Sequence, residues 1–163
     1  MSKKIEDTIA IHDLRSCSKQ DLEDINALII AIRALIILNK HKYISSSIQT
    51  WTMHALGIAN GILAIKNAYN NNKLIVLLYI PVIFYCAFIG FNANEVSRTA
   101  KTDLQDSKNK YQSLKDIIQQ VKPSEIHDIA KIYRTEVPTD KEDEITIEAI
   151  QKAVQYILIK YQR

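Results

Sequence analysis

Glycine and proline are scarce in this chain, with three of each in 163 residues. An all-β fold needs a turn roughly every ten residues, so this supply of turn formers excludes one. It also leaves no glycine-rich loop to cradle a phosphate. Cysteine is scarcer still: Cys17 and Cys86 cannot build a disulfide scaffold, and free thiols suit a reducing compartment. His41, His54 and His127 are scattered, no nucleophile, base and acid group together, and no metal-ligand spacing occurs. The expectation is therefore no enzyme, no cofactor and no metal. The first twenty residues lack a basic start followed by a compact apolar run and a cleavage site, so no removable signal peptide is expected. With 47% hydrophobic residues in about one domain's length, what remains is an all-α protein.

Charge is missing from one long stretch as well. Residues 74–91, LIVLLYIPVIFYCAFIGF, carry none over eighteen positions, which is about 27 Å of helix, close to the hydrocarbon thickness of a bilayer. A buried helix of a soluble bundle usually keeps a polar stripe, and this run has none, so it reads as a membrane span. Pro81 removes a backbone donor near its centre and predicts a kink supported by a neighbouring helix. Residues 48–65, IQTWTMHALGIANGILAI, are the expected neighbour, a weaker span because Gln49, His54 and Asn60 interrupt it. Helical spacing gathers Thr50, His54, Gly57, Asn60, Gly61 and Ala64 on one face, away from Ile58, Ile62 and Ile65. Gly57 and Gly61 form a small-xxx-small pair that admits another helix, and Asn60 reads as a hydrogen-bond donor across it. That face serves either helix packing, the commoner use, or the polar lining of an oligomeric pore.

The linker 66–73, KNAYNNNK, is too short for a domain, so the two spans form a hairpin. Arg33, Lys40 and Lys42 precede it and Arg98, Lys101, Lys108 and Lys110 follow, against Lys66 and Lys73 in the linker. The positive-inside rule then sets both hairpin ends in the cytoplasm. A third apolar stretch, residues 25–38, gives about 21 Å of helix, short for a bilayer, and reads as either interfacial or spanning. The acids Asp21, Glu23 and Asp24 suit its start, and Lys40, His41 and Lys42 its end.

From Glu95 onward twelve basic residues balance twelve acidic ones, which is unlike a duplex nucleic-acid binder. Ala100, Leu104, Ser107, Tyr111, Leu114, Ile118 and Val121 alternate steps of four and three, a heptad seam continuing from the second span. It reads as a stalk or as a helix folding back on its own domain. Pro123 stops that helix, and Ser124 is expected to cap another running to Arg134, with Ile126, Ile129, Ala130 and Tyr133 inward. A loop is expected over 135–143 and a last helix over 144–161, with a short strand at 144–148 as the alternative. The expected division is 1–47 as an N-terminal cytoplasmic or interfacial segment, 48–94 as the transmembrane hairpin and 95–163 as a cytoplasmic sensor and oligomerisation domain. So small a domain has a thin core, which favours a homo-oligomer.

The order of two spans, a basic juxtamembrane helix and a small helical end over 48–163 resembles the membrane effectors of bacterial antiviral defence. It is most similar to the type III CRISPR ancillary membrane proteins, and a two-span effector family of nucleotide-synthesising defence systems shares the layout. The resemblance implies residence in the bacterial inner membrane, a C-terminal domain that binds a cyclic oligoadenylate, and spans that then perturb the bilayer. Such a ligand needs cations for its phosphates and aromatic surfaces for its bases. The candidates are Lys108, Lys110, Lys115, Lys131, Tyr133 and Arg134. The alternative is a structural or holin-like membrane adaptor with no small-molecule ligand.

Overall fold

The computed structural model describes residues 17–70, 72–137 and 146–161, and their regular structure is entirely helical. Four helices follow in order: α1, Lys19–Tyr69; α2, Lys73–Gln120; α3, Pro123–Glu136; and α4, Ile147–Tyr161. Ser18 starts α1, its Oγ accepting a hydrogen bond from Asp21 N at 3.1 Å, which satisfies one of the donors a helix start leaves open. The run Lys40, His41, Lys42 does not end this helix. Basic residues favour a C-terminus but do not break the backbone ladder, and α1 continues for 51 residues. Asn70 and Asn72 then turn the chain, with Asn72 N donating to Asn67 O at 3.0 Å. The helix α2 runs through Pro81 for 48 residues.

Pro123 takes the first position of α3, where a fixed φ and a missing N–H cost nothing. Lys122 is the N-cap residue, its N–H donating to Glu125 Oε2 at 2.8 Å, so Ser124 lies inside the first turn rather than capping it. Thr146 caps α4, its Oγ1 accepting from Ala149 N at 3.2 Å. The strand alternative fails at Ile147 and Glu148, which are helical, and Thr135 and Glu136 belong to α3 rather than to a loop. Val137, the C-cap of α3, is buried, and residues 138–145 lie outside the described residues.

The chain divides into two compact units, one joining residues up to Ile37 with those from Gln105 onward, the other Leu38–Leu104. These boundaries differ from the expected ones at 47/48 and 94/95. In the first unit Ile25, Leu28 and Ile32 of α1 meet Leu114, Ile117 and Ile118 of α2, with Ile126, Ile129, Ala130 and Tyr133 of α3 and Ile150, Ala153, Val154 and Ile157 of α4. Each helix supplies apolar residues three and four apart, one buried stripe apiece. The start of the stretch 25–38 is thus core: too short for a bilayer, it is long enough to close one side of a thin domain.

In the second unit α1 and α2 pair antiparallel. Ser47 Oγ lies 2.8 Å from Ser97 Oγ, and a Cβ added at Gly57 would sit 3.5 Å from Cys86 Cβ. On α1 the inward positions are Ser46, Thr50, Met53, Gly57, Asn60 and Ala64, and on α2 they are Ile83, Cys86, Gly90, Ala93, Ser97, Ala100 and Leu104. Both series alternate steps of three and four, the coiled-coil spacing, filled mostly with small side chains that let the backbones approach. In the first unit Ser107, Leu114 and Ile118 extend the α2 series, all buried, while half-buried Tyr111 accepts hydrogen bonds from Arg33 Nε and Nη2 at 3.0 and 2.8 Å. The seam expected from the sequence therefore packs within the chain.

Candidate functional site

Around the small-residue seam of the second unit lies an apolar exterior. Ile48, Ile58, Ile62 and Ile65 on α1, and Leu74, Leu78, Phe84, Phe88 and Phe91 on α2, are exposed, and Trp51 is 76% exposed. Among the described residues one helix, α2, is long and apolar enough to cross a membrane, and only 11% of its most apolar eighteen-residue stretch is buried. A soluble core helix would bury most of that stretch. The expected first span, residues 48–65, falls short of the same measure because Gln49, His54 and Asn60 dilute it.

The polar face expected over 48–65 does not act as one surface. Gly57 meets α2 through Cys86, while nothing lies within 4 Å of a Cβ built at Gly61. Asn60 does not reach across, because its Nδ2 donates to Leu56 O of its own helix at 2.8 Å. His54 is exposed overall, with its ring edge 3.5 Å from a Cβ built at Gly90. Thr50 likewise bonds back to Ser46 O at 2.9 Å. A buried Thr50 hydroxyl and a half-buried Asn60 amide satisfied within their own helix need no partner from the other, which suits a packing seam.

The six residues named for an anionic ligand do not converge. Tyr133 is core at 4% exposure, and burial followed by the Asp24 charge raises its pKa, so its ring is closed to stacking. Lys110 Nζ pairs with Asp106 at 2.7 Å. Lys108 and Lys131 are exposed and Lys115 half-buried. Arg134 turns inward: Nη2 donates to Asp21 Oδ1 and Nε lies 2.8 Å from Asp24 Oδ2. A guanidinium shared by two carboxylates has little charge left for a phosphate.

Asp21 is the centre of a constellation that sequence spacing could not show, since its partners lie 106 and 113 residues away. Its side chain is 5% exposed, with His127 Nδ1 3.0 Å from Oδ2. Burial pushes its pKa up, but hydrogen bonds from His127 and Ser18 and the charges of His127 and Arg134 outweigh that and hold it below its ordinary value. The cluster ties the start of α1 to α3. Beside it the thiol of Cys17 is raised by burial and by the Asp21 charge, which makes it a poor nucleophile.

One groove of the first unit brings a candidate cation to an aromatic surface. Lys131, Ile132 and Thr135 of α3 face Tyr156 and Ile159 of α4 across about 530 Å³, flanked by the pairs Lys160–Asp128 at 3.2 Å and Lys152–Glu136 at 2.9 Å. Among the described residues no cluster of three or more His, Cys, Asp or Glu side chains is arranged to hold a metal. No protein family, curated protein or solved structure matches this chain.

Proposed function

We propose that this is an integral membrane protein in which the antiparallel pair of α1 and α2 crosses the bilayer as a hairpin, while the first unit serves as a helical binding module on the cytoplasmic side. The apolar exterior of the pair supports this reading: its outside is greasy and its inside small and polar, the reverse of a soluble helix pair. Each helix bonds its own backbone, apart from the Leu77 carbonyl that Pro81 leaves without its usual donor, so the pair satisfies nearly all its peptide groups in lipid. Lys40, Lys42, Arg98 and Lys101 at the open end outnumber Lys66 and Lys73 near the turn, which orients both termini inward. On this reading the protein works by binding and assembly rather than by catalysis, as a structural adaptor. Alkaline carbonate washing of membranes tests it: the chain is expected to stay in the pellet until detergent is added, and release without detergent overturns the proposal.

A second reading, the ligand-gated effector, draws on the groove between α3 and α4. An exposed lysine beside Tyr156 offers what a nucleotide asks for, a cation and a stacking surface. A cyclic oligoadenylate bound there would drive a homo-oligomer only if it bound two arrangements unequally. Calorimetry of the full chain in detergent against a set of cyclic oligoadenylates separates the readings. Heat that disappears in Lys131→Glu supports the effector; no heat with any ring size leaves the adaptor.

A further inference from the structure

We infer that the open end of the helix pair, where α1 enters and α2 leaves the second unit, is a collar that binds the headgroups of anionic phospholipids. This deepens the membrane reading above and rests on it. Lys40 and Lys42 on α1 and Arg98 and Lys101 on α2 are all exposed, with exposed His41 between the first two. The register that sets Ser47 against Ser97 brings Arg98 level with Ser46 and Lys101 level with Tyr43. At 1.5 Å per residue the four cations then occupy about 9 Å along the axis. One leaflet's headgroup layer is of similar depth, about 5–8 Å.

The collar adjoins the apolar exterior directly. Within a few residues of it come exposed Ile48 and Trp51 on α1 and Phe91 on α2. Lys40 and Lys42 point about 200° apart around α1, and α2 adds its own pair, so the charges surround the hairpin. Charges that surround and do not converge match a layer of anions better than one compact anion. Asp103 lies within this depth, level with His41, and Glu95 lies level with Gln49, about 4.5 Å nearer the apolar exterior; together they offset two of the four, leaving a net +2 with His41 neutral. The turn end carries Lys66 and Lys73 with no acidic residue beside them, an equal net charge, so the collar is distinguished by its four cations and not by net charge. Arg98 adds a planar fork able to hold a phosphate through two hydrogen bonds.

Trp51, the one tryptophan of the chain, reports on the lipids beside the collar. The full-length protein is reconstituted in phosphatidylcholine vesicles containing a trace of pyrene-labelled phosphatidylglycerol or pyrene-labelled phosphatidylcholine, and energy transfer from Trp51 is compared. Transfer to the anionic probe is expected to be about threefold greater and to weaken in about 0.5 M salt. Replacing Lys40, Lys42, Arg98 and Lys101 together by Gln is expected to equalise the probes, with the paired variants Lys40→Gln/Lys42→Gln and Arg98→Gln/Lys101→Gln intermediate. Equal transfer in the unaltered protein, once inserted, overturns the collar and leaves the membrane reading intact. A preference that survives undiminished in the variant with all four replaced overturns its placement, and one abolished by millimolar inorganic phosphate at constant ionic strength reassigns it to a compact anion. Failure of the unaltered protein to enter neutral vesicles overturns the membrane reading itself.

Discussion

Asp21 illustrates how a residue that looks like a dipole acid at a helix start becomes structural once the chain folds. Its carboxylate is held below its ordinary pKa of 3.8, so the folded state binds its proton less readily than the unfolded chain. The stability this adds is complete above that ordinary value and is lost as pH falls through the lowered one. Thermal melts of the full chain in detergent should therefore be insensitive to this group from about pH 5 to 7 and decline below about pH 4, a decline that Asp21→Asn reduces. At neutral pH Asp21→Ala is expected to cost about 2 kcal/mol, less than the 3–5 of a fully buried pair, because the Arg134 side chain is 38% exposed and regains water. Leu28, with no exposed surface, tests the α1 contribution to the core. Leu28→Ala should cost about 2–5 kcal/mol, whereas a loss below about 1 kcal/mol would show that α1 does not close this core.

At the scale of elements the pairing of α1 with α2 is a question of register. The 3.5 Å between a Cβ at Gly57 and Cys86 Cβ lies at the short end of disulfide geometry. Gly57→Cys in a Cys17→Ser background is expected to oxidise within one chain, giving a faster monomer band on a non-reducing gel. A dimer band instead would mean that the seam joins two copies, and no oxidation at all would mean a slipped register. Bulk at the same place should separate the helices: Gly57→Leu is expected to destabilise the pair, while Gly57→Ala makes only ordinary contact. Gly61→Leu should leave the pair's melting unchanged, since nothing faces that position within 4 Å. The two glycines look alike in sequence, and only one has a neighbour.

For the whole molecule, the grouping of the chain's start with its end has a consequence for dissection. A chain beginning at Glu95 lacks Ile25, Leu28 and Ile32, leaving Leu114, Ile118 and Ile126 without one wall. Such a fragment is expected to melt without cooperativity and to aggregate. A chain in which a short Gly/Ser linker joins Ile37 to Gln105 restores that wall and should give a sigmoidal helical melt in the absence of detergent. If the fragment from Glu95 alone melts as sharply as the joined chain, α1 is dispensable to the unit. The exposed apolar surface of the second unit is expected to make the intact chain detergent-dependent, so a joined chain that needs no detergent would assign that dependence to the second unit.

Local order was legible in the amino-acid sequence because it depends on spacing and composition. The scarcity of glycine and proline, the uncharged run 74–91, the inward stripe of α3 and the heptad steps from Ala100 to Ile118 each follow from a helical period that neighbours in sequence share. What those stripes meet does not follow, because an apolar face specifies burial and leaves the covering surface open. Only the tertiary structure placed Ile25, Leu28 and Ile32 in a core, gave the α2 seam a partner within its own chain, separated Gly57 from Gly61, buried Tyr133 and paired Arg134 with Asp21 and Asp24. Each of these depends on contacts between residues far apart along the chain, where hydrophobic burial and ion pairing act on distance in space alone.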